Sequence, residues 1–323
     1  MNSSITKYAI LLMICGGMLF YLSCKKKEDP IKYKYGLFPE TLINLSDLNS
    51  KLDNNTGEYV IEGKIAILFK NSGNLEQGAL TYIFDQTTGE CGLAFGTTND
   101  VFTKSLIDKA GAQGGNYVPY RFFCKTDGFE YFIHSSENTS GNLDFFYMKN
   151  MPIIGTTLPT VQGPFPITLL NSTANDAYIS FNQDFDAAYF ASDRDGNYNI
   201  YSHPFLQTSL SNQFDKSFTE SAKLDSVNSS RNDKYPFVHK NMMVFASDRL
   251  GGFGGFDLYY SVFRKGKWSA PINFGPGINT EFDEFLPILG SVTDFKNSYL
   301  IFSSNRKDKD KFDLYFTGIS LPK

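Results

Sequence analysis

Three arginines recur in the same short phrase and are the residues of this chain best placed to do chemistry. Each follows a serine and an aspartate or asparagine, and each precedes a polar turn. An acidic residue that marks the start of the copy lies upstream of each phrase. If the fold brings these two loops to the same face, a guanidinium and a carboxylate there form strong charge-assisted hydrogen bonds with each other or bind a charged ligand together. The residues concerned are Asp176 with Arg194, Asp233 with Arg249, and Asp283 with Arg306.

A fourth copy of the phrase bears on whether the arginine and the acid pair with each other or bind a ligand. It has Asn138 where the others have arginine, and Asn116-Tyr117 where the others have the acidic marker. Charge and countercharge are therefore lost together, which favours one structural arginine–carboxylate pair in each copy over a direct ligand role. Both alternatives remain open from the sequence.

The other motifs give weaker signals. The loop Asp193–Asn197 resembles a calcium loop but has no distal glutamate. The glycine-rich segment Gly251–Gly255 has no following lysine or helix, as a phosphate loop needs, and predicts a long, mobile hairpin tip. We therefore predict no catalytic residue, metal site or cofactor. Contact with a partner is predicted for Phe253 at this tip and for Asp193 and Asp248 in the turns.

The elements that position these residues repeat with an almost constant period. Anchor phenylalanines lie at Phe132, Phe190, Phe245 and Phe302, so the steps are 58, 55 and 57 residues. In the clearest copy, short apolar runs alternate with turns at 235–238, 241–246, 256–262 and 267–273. Four short strands per copy without helical periodicity are typical of a β-propeller blade. In a propeller the loops that carry the arginine and the acid would lie on the same face.

The phrase Ser-Asp-Arg, the following Phe-Asp-Leu-Tyr-Tyr and the segment from Trp268 to Glu284 resemble the WD40-like repeats of TolB-type propellers. The resemblance is greater to the repeats attached to OmpA-type proteins of Bacteroidetes, and it is strong over residues 176–315. It implies partners among envelope proteins or cell-wall glycans.

Five blade-start markers and five strand-turn-strand phrases predict an all-β, five-bladed β-propeller of four-stranded antiparallel blades. The last copy lacks its outer strand, and Thr41–Leu45 resembles that missing segment. We predict that this N-terminal strand closes the ring in the last blade, because pairing protects an open sheet edge. The alternative is a six-bladed ring in which residues 30–60 form a blade.

The N-terminus has the pattern of a bacterial lipoprotein signal. Lys7 precedes an apolar run that ends at Leu22, and Cys24 is followed by three lysines. The run is shorter than the about 20 residues of a membrane-spanning helix. We predict a signal peptide at 1–23, lipidation of Cys24, a tether at 24–35 and a single propeller domain at 36–323. The expected location is the bacterial outer membrane, and cell-surface display is favoured over the periplasmic face.

The composition bears on which partners the protein can bind. The net charge of −4 gives no basic footprint for nucleic acid. Cys91 and Cys124 could pair or remain free thiols. The sequence thus predicts a lipid-anchored propeller that binds or scaffolds envelope components and is more a binding module than an enzyme. The alternative is a glycan-binding protein or carbohydrate-active enzyme that uses the central channel.

Overall fold

The structure is a computed structural model that describes residues 35–45, 53–61, 64–71, 74–84, 91–97, 109, 117–150, 161–206 and 208–320. The predicted signal peptide and Cys24 lie outside these residues, so the lipid anchor stays a prediction from the sequence. Among the described residues, no helix is long and apolar enough to cross a membrane.

Short strands make up most of the described chain. Their bounds are β1 Ile43–Asn44, β2 Asp53–Ile61, β3 Lys64–Asn71, β4 Asn74–Phe84, β5 Cys91–Thr97, β6 Tyr117–Cys124, β7 Phe129–Glu137, β8 Leu143–Asn150, β9 Gln162–Pro166, β10 Asp176–Phe181, β11 Ala187–Ser192, β12 Asn199–Pro204, β13 Ala222–Lys223, β14 Asp233–His239, β15 Met242–Ser247, β16 Asp257–Arg264, β17 Lys267–Trp268, β18 Ile272–Asn273, β19 Glu284–Ser291, β20 Ser298–Asp308 and β21 Lys311–Ile319. A five-residue helix, α1, spans Leu210–Phe214 between β12 and β13.

These strands form five antiparallel sheets in the described part of the chain. The strand orders are β2-β3-β4-β5, β6-β7-β8-β9, β10-β11-β12-β13, β14-β15-β16-β17 with β18 also on β16, and β1-β21-β20-β19. One edge strand of each sheet contacts an edge strand of the next, in the cycle β2, β6, β10, β14, β19 and back to β2. The sheets are therefore the blades of a β-propeller, and these five strands, the inner strands, surround its axis.

Packing between blades explains the apolar runs in the sequence. All six residues of β15 are buried, because its sheet packs against a neighbour on each face. Phe190 of the third sheet lies with Phe145 of the second in one core cluster. Phe245 of the fourth sheet lies with Tyr189 of the third in another. The hydrophobic core is thus divided into layers between successive blades.

Each inner strand contains an irregularity in the same place. The register with the neighbouring strand shifts near the start of every inner strand, as expected for a β-bulge. In three of them the third residue has positive φ, namely Tyr178, Tyr235 and Leu286. Bulges increase strand twist and redirect side chains, and their recurrence marks them as part of the blade architecture.

The N-terminal segment closes the ring as predicted. Ile43 pairs with Phe316 and Asn44 with Tyr315, so β1 is the outer strand of the last sheet. The Phe38 ring is fully buried and stacks on Phe295 with 3.9 Å between ring centroids. Residues 43–44 belong to the last sheet and 53–61 to the first, so the described strands give no separate blade to residues 30–60.

Two further expectations are settled by the structure. The single strand predicted over 267–273 is divided, because β17 pairs with one end of β16 and β18 with another part of it. Cys124 is a buried free thiol.

We expect ring closure to depend on Phe38. Phe38→Ala should lower the free energy of unfolding by about 3–5 kcal/mol, because it removes a fully buried ring from an aromatic cluster. The adjacent Leu37 is 51% exposed, so Leu37→Ala should change stability by less than about 0.5 kcal/mol. Urea unfolding of both variants measures the difference, and equal losses would contradict this account of closure.

Candidate functional site

The arginine of the fourth blade joins three parts of the propeller. Arg249 Nη2 donates to Asp233 Oδ1 at 2.6 Å and to the carbonyl oxygen of Val227 at 2.8 Å. Its Nε donates to Ser247 Oγ at 2.9 Å. The guanidinium also lies over the Tyr259 ring, 4.7 Å from its centroid. It therefore ties its own hairpin to the inner strand and to the loop that enters the blade.

The third blade repeats this arrangement. Arg194 Nη2 lies 2.6 Å from Asp176 Oδ1, and Arg194 Nε donates to Ser192 Oγ at 2.9 Å. The Asp176 side chain is fully buried, as is that of Asp233. The pairs Asp176–Arg194 and Asp233–Arg249 are thus present as the sequence predicts.

The predicted pair Asp283–Arg306 is wrong. Arg306 Nη2 instead lies 3.1 Å from Glu284 Oε1. Glu284 faces Ser304 across the sheet, as Asp233 faces Ser247. Asp283 is one residue too early, and its carboxylate accepts a hydrogen bond from the Phe256 N–H at 2.8 Å.

Burial raises the pKa of Glu284 above its usual range, while bonds from Thr280 and Ser304 and the charge of Arg306 act in the opposite direction. This carboxylate is fully buried, like those of the other two pairs.

An asparagine lies five residues before each of these acids and was not among the predicted site residues. The side chain of Asn228 accepts from the Ile200 N–H and donates to the Ile200 carbonyl, at 2.7 and 2.8 Å. Asn279 makes the same two bonds with Leu258. Each asparagine side chain thus makes the two hydrogen bonds that the backbone of a neighbouring strand would make with the third strand of the preceding blade. The equivalent residue of the third blade is Asn171, bound to Phe145.

A serine or threonine four residues before the acid completes the motif. Ser229 donates to Asp233 Oδ2 from both its backbone N–H and its hydroxyl. Thr280 holds Glu284 in the same way. The recurring sequence Asn-[Ser/Thr]-x-x-[Asn/Asp]-[Asp/Glu] was visible before each of these blades and is the signal that could have revealed both residues.

The predicted partner-contact residues have different surroundings. Asp248 accepts bonds from the backbone and side chain of Asn232 at 2.7 and 2.9 Å, and Asp193 holds Asn175 in the same way. Phe253 is 49% exposed, but its N–H donates to Asp257 Oδ2 at 2.7 Å. The glycine-rich tip is therefore fastened to the blade rather than held by its ends alone.

A cavity lies at the end of the propeller axis away from the arginine–carboxylate pairs, where the inner strands end. Its volume is about 390 Å³, and its walls come from the ends of β6, β10, β14 and β19 with the loops that follow them. The Tyr120 ring lies 6.0 Å from that of Phe181 and 6.3 Å from that of Phe237, measured between centroids. Rings from three different blades thus meet in one apolar wall, which we call the aromatic wall (Tyr120, Phe122, Phe181, Phe185 and Phe237).

Polar groups in this cavity do not recur from blade to blade. His239 Nε2 and Ser291 Oγ are 2.9 Å apart. Burial and the charge of Lys240 lower the pKa of His239 to about 4, so its ring is neutral at pH 7. Arg121, which is paired with the buried Glu130, also contributes to the lining.

The described lining contains no acidic side chain, since none of its residues is an aspartate or glutamate. Glycosidases of the usual type need two carboxyl groups on either side of the scissile bond. The described residues also contain no cluster of three or more acidic, histidine or cysteine side chains able to hold a metal ion. The described lining therefore shows no carboxylate pair of this kind.

Comparisons with known proteins support the fold. A thermostable family-43 glycoside hydrolase has a TM-score of 0.53 and 12% identity, with 83% of this chain and 90% of that chain covered. The GH43_1 enzyme from Xanthomonas citri complexed with xylose has a TM-score of 0.52 and 10% identity, with 87% and 91% covered. TolB from Acinetobacter baumannii is also similar, with a TM-score of 0.39, 11% identity and coverage of 84% and 55%.

At these identities the similarity to the two glycoside hydrolases concerns the propeller fold alone. No protein-family model matches the chain, and a comparison of its sequence with curated proteins finds no match.

We expect the corrected pair to show in a double-mutant cycle. Arg306→Ala combined with Glu284→Ala should give a coupling energy of about 1–3 kcal/mol, because each change alone leaves a buried charge without its partner. Arg306→Ala combined with Asp283→Ala should give less than about 0.5 kcal/mol, because these side chains do not form the pair. Chemical denaturation of the five variants and the parent measures both energies, and stronger coupling to Asp283 would contradict the assignment.

Proposed function

We propose that this protein binds a carbohydrate in the cavity at the end of the propeller axis. The observation that carries the proposal is the aromatic wall, which brings rings from three blades together beside polar groups that no other blade repeats. The volume of the cavity, about 390 Å³, falls within the roughly 300–1,000 Å³ of ordinary ligand pockets.

The chemistry of the lining fits a sugar. A pyranose or furanose ring has a face of C–H groups and a rim of hydroxyls, so it needs both apolar rings and hydrogen-bonding groups. Tyr120 and Phe237 are half-buried and offer ring surface to the cavity. Gln183 and Ser291 provide an amide and a hydroxyl group in the same lining. Pockets that orient small ligands combine an apolar wall with a few such polar groups.

The propellers of similar fold bear on the proposal only as scaffolds. The Xanthomonas citri enzyme is described as a complex with xylose, so a propeller of this kind accommodates a sugar in that protein. With 10% identity, the support for this chain comes from its own lining residues rather than from that relative. The missing carboxylates in the described lining favour binding over glycoside hydrolysis.

Scaffolding of envelope proteins, as predicted from the sequence, is the second candidate function. It is favoured by Leu250 and Phe253, which are 81% and 49% exposed in the turn after β15. This turn and the cavity lie at opposite ends of the inner strands, so a protein partner and a carbohydrate would occupy separate surfaces. Anchoring through Cys24 at the outer membrane remains a sequence-based proposal that suits both functions.

The proposal predicts which rings the carbohydrate needs. The protein is first tested against a panel of neutral and acidic plant and bacterial oligosaccharides, and the best ligand is titrated by calorimetry. Tyr120→Ala and Phe237→Ala should each weaken binding about 10-fold or more, since each removes ring surface from the pocket. Thermal melts of both variants confirm that they remain folded at the temperature of the titration.

The matched control is Phe253→Ala, which removes an exposed ring at the other end of the molecule. It should leave the carbohydrate affinity unchanged. The proposal fails if no oligosaccharide binds, or if Phe253→Ala weakens binding while the two cavity variants do not.

A further inference from the structure

The cavity contains a serine and a histidine in hydrogen-bonding contact. Ser291 is the last residue of β19 and His239 the last residue of β14, so adjacent inner strands bring them together from positions 52 residues apart. His239 Nε2 and Ser291 Oγ are 2.9 Å apart, and both residues are half-buried in the lining. A nucleophile within hydrogen-bond reach of a neutral base is the minimum arrangement for covalent catalysis.

This pair is not part of the repeated architecture. The inner strands β6 and β10 end in Cys124 and Phe181, so neither has a histidine at its end. The residues that recur between blades hold the opposite end of the propeller, around the arginine–carboxylate pairs. A feature confined to one blade junction, inside a cavity, is a better candidate for chemistry than one that every blade repeats.

A second serine–histidine contact in the chain shows what a purely structural pair looks like. His203 Nδ1 lies 3.2 Å from Ser221 Oγ, but these residues are only 6% and 5% exposed. Neither lines the cavity of the first pair. The chain therefore contains an internal control in which the same two side chains meet without access to a ligand.

We propose that Ser291 is a nucleophile and His239 its general base, and that the cavity hydrolyses an ester carried by the bound molecule. The carbohydrate part of the substrate, an O-acylated sugar, rests on the proposed function, whereas the ester cleavage does not. The described lining shows no carboxylate pair for glycosidic cleavage but places no obstacle to acyl transfer.

The reaction balances without any cofactor. Ser291 Oγ attacks the carbonyl carbon of the ester while His239 Nε2 takes the hydroxyl proton. The C–O bond to the alcohol then breaks, and the histidine returns this proton to the leaving oxygen, which leaves an acyl group on Ser291. Water, deprotonated by His239, attacks the acyl group and releases a carboxylic acid, and the proton returns to Ser291.

Two lysine side chains line the cavity. Lys240 follows His239 in the chain, and Lys125 lines the same cavity. Negative charge develops on the carbonyl oxygen during the attack, and nearby positive charge stabilises it.

The test uses the full chain and a fluorophosphonate probe, which reacts covalently with activated serines. The probe should label the protein, and mass mapping of the modified peptide should place the adduct on Ser291 without need of any variant. Ser291→Ala should abolish labelling. His239→Gln should slow it by at least about 100-fold, in line with the loss of a general base.

The matched controls are Ser221→Ala and His203→Gln at the buried pair, which should label like the parent protein. Hydrolysis of p-nitrophenyl acetate, followed in the same variants, should respond in the same way. No adduct, an adduct on another residue, or an unchanged rate in His239→Gln overturns the proposal.

The two proposals fail separately. If oligosaccharides bind but the probe does not label Ser291, the ester chemistry is wrong and carbohydrate binding stands. If Ser291 is labelled but no oligosaccharide binds, the hydrolytic pair stands and the sugar is excluded as its substrate. If both hold, an O-acetylated oligosaccharide should be deacetylated by the parent protein and not by Ser291→Ala.

Discussion

In three of the five described blades, a buried arginine–carboxylate pair at the start of the blade is the interaction on which the blade junction depends most. Each of Arg194, Arg249 and Arg306 reaches a fully buried carboxylate and a backbone carbonyl of the entering loop. Because the acid belongs to an inner strand, the pair fixes that strand relative to its own hairpin and to the preceding blade. Removing one member of such a pair leaves a buried charge, which typically costs about 3–5 kcal/mol. The neighbouring asparagines extend the same junction through bonds to the third strand of the blade before.

The two ends of the propeller carry different kinds of residue. At the junction end the ionisable groups of the repeat are paired, and the turns carry Asp193 and Asp248 in bonds to adjacent asparagines. At the other end the repeat gives way to side chains that differ in every blade. There the aromatic wall and the contact between His239 and Ser291 share one cavity. Strands that are fixed at one end by repeated bonds can carry different residues at their free ends, which is how a repeated scaffold accommodates a single specialised site.

Much of the fold could be predicted from the sequence because each blade repeats its own signals. The constant step between the phenylalanines, and the joint loss of charge around Asn138, led to the propeller and to two correct pairs. The third pair was wrong because Asp283 and Glu284 are adjacent acids, and only the strand register shows which of them faces Ser304. The cavity was not predictable in this way. Tyr120, Phe181 and Phe237 come from three blades, and no local pattern in the sequence marks residues that meet only when the ring closes.

The central claim is that the repeated charges stabilise blade junctions, and the pair of Asp233 and Arg249 offers the most direct measurement. The free energies of unfolding of Asp233→Ala, Arg249→Ala and the double variant are compared with that of the parent protein. Our account predicts that each single change destabilises strongly and that the double variant loses less than the sum, by at least about 1 kcal/mol. Losses that add to within about 0.5 kcal/mol would show that the two residues act independently and would contradict the account.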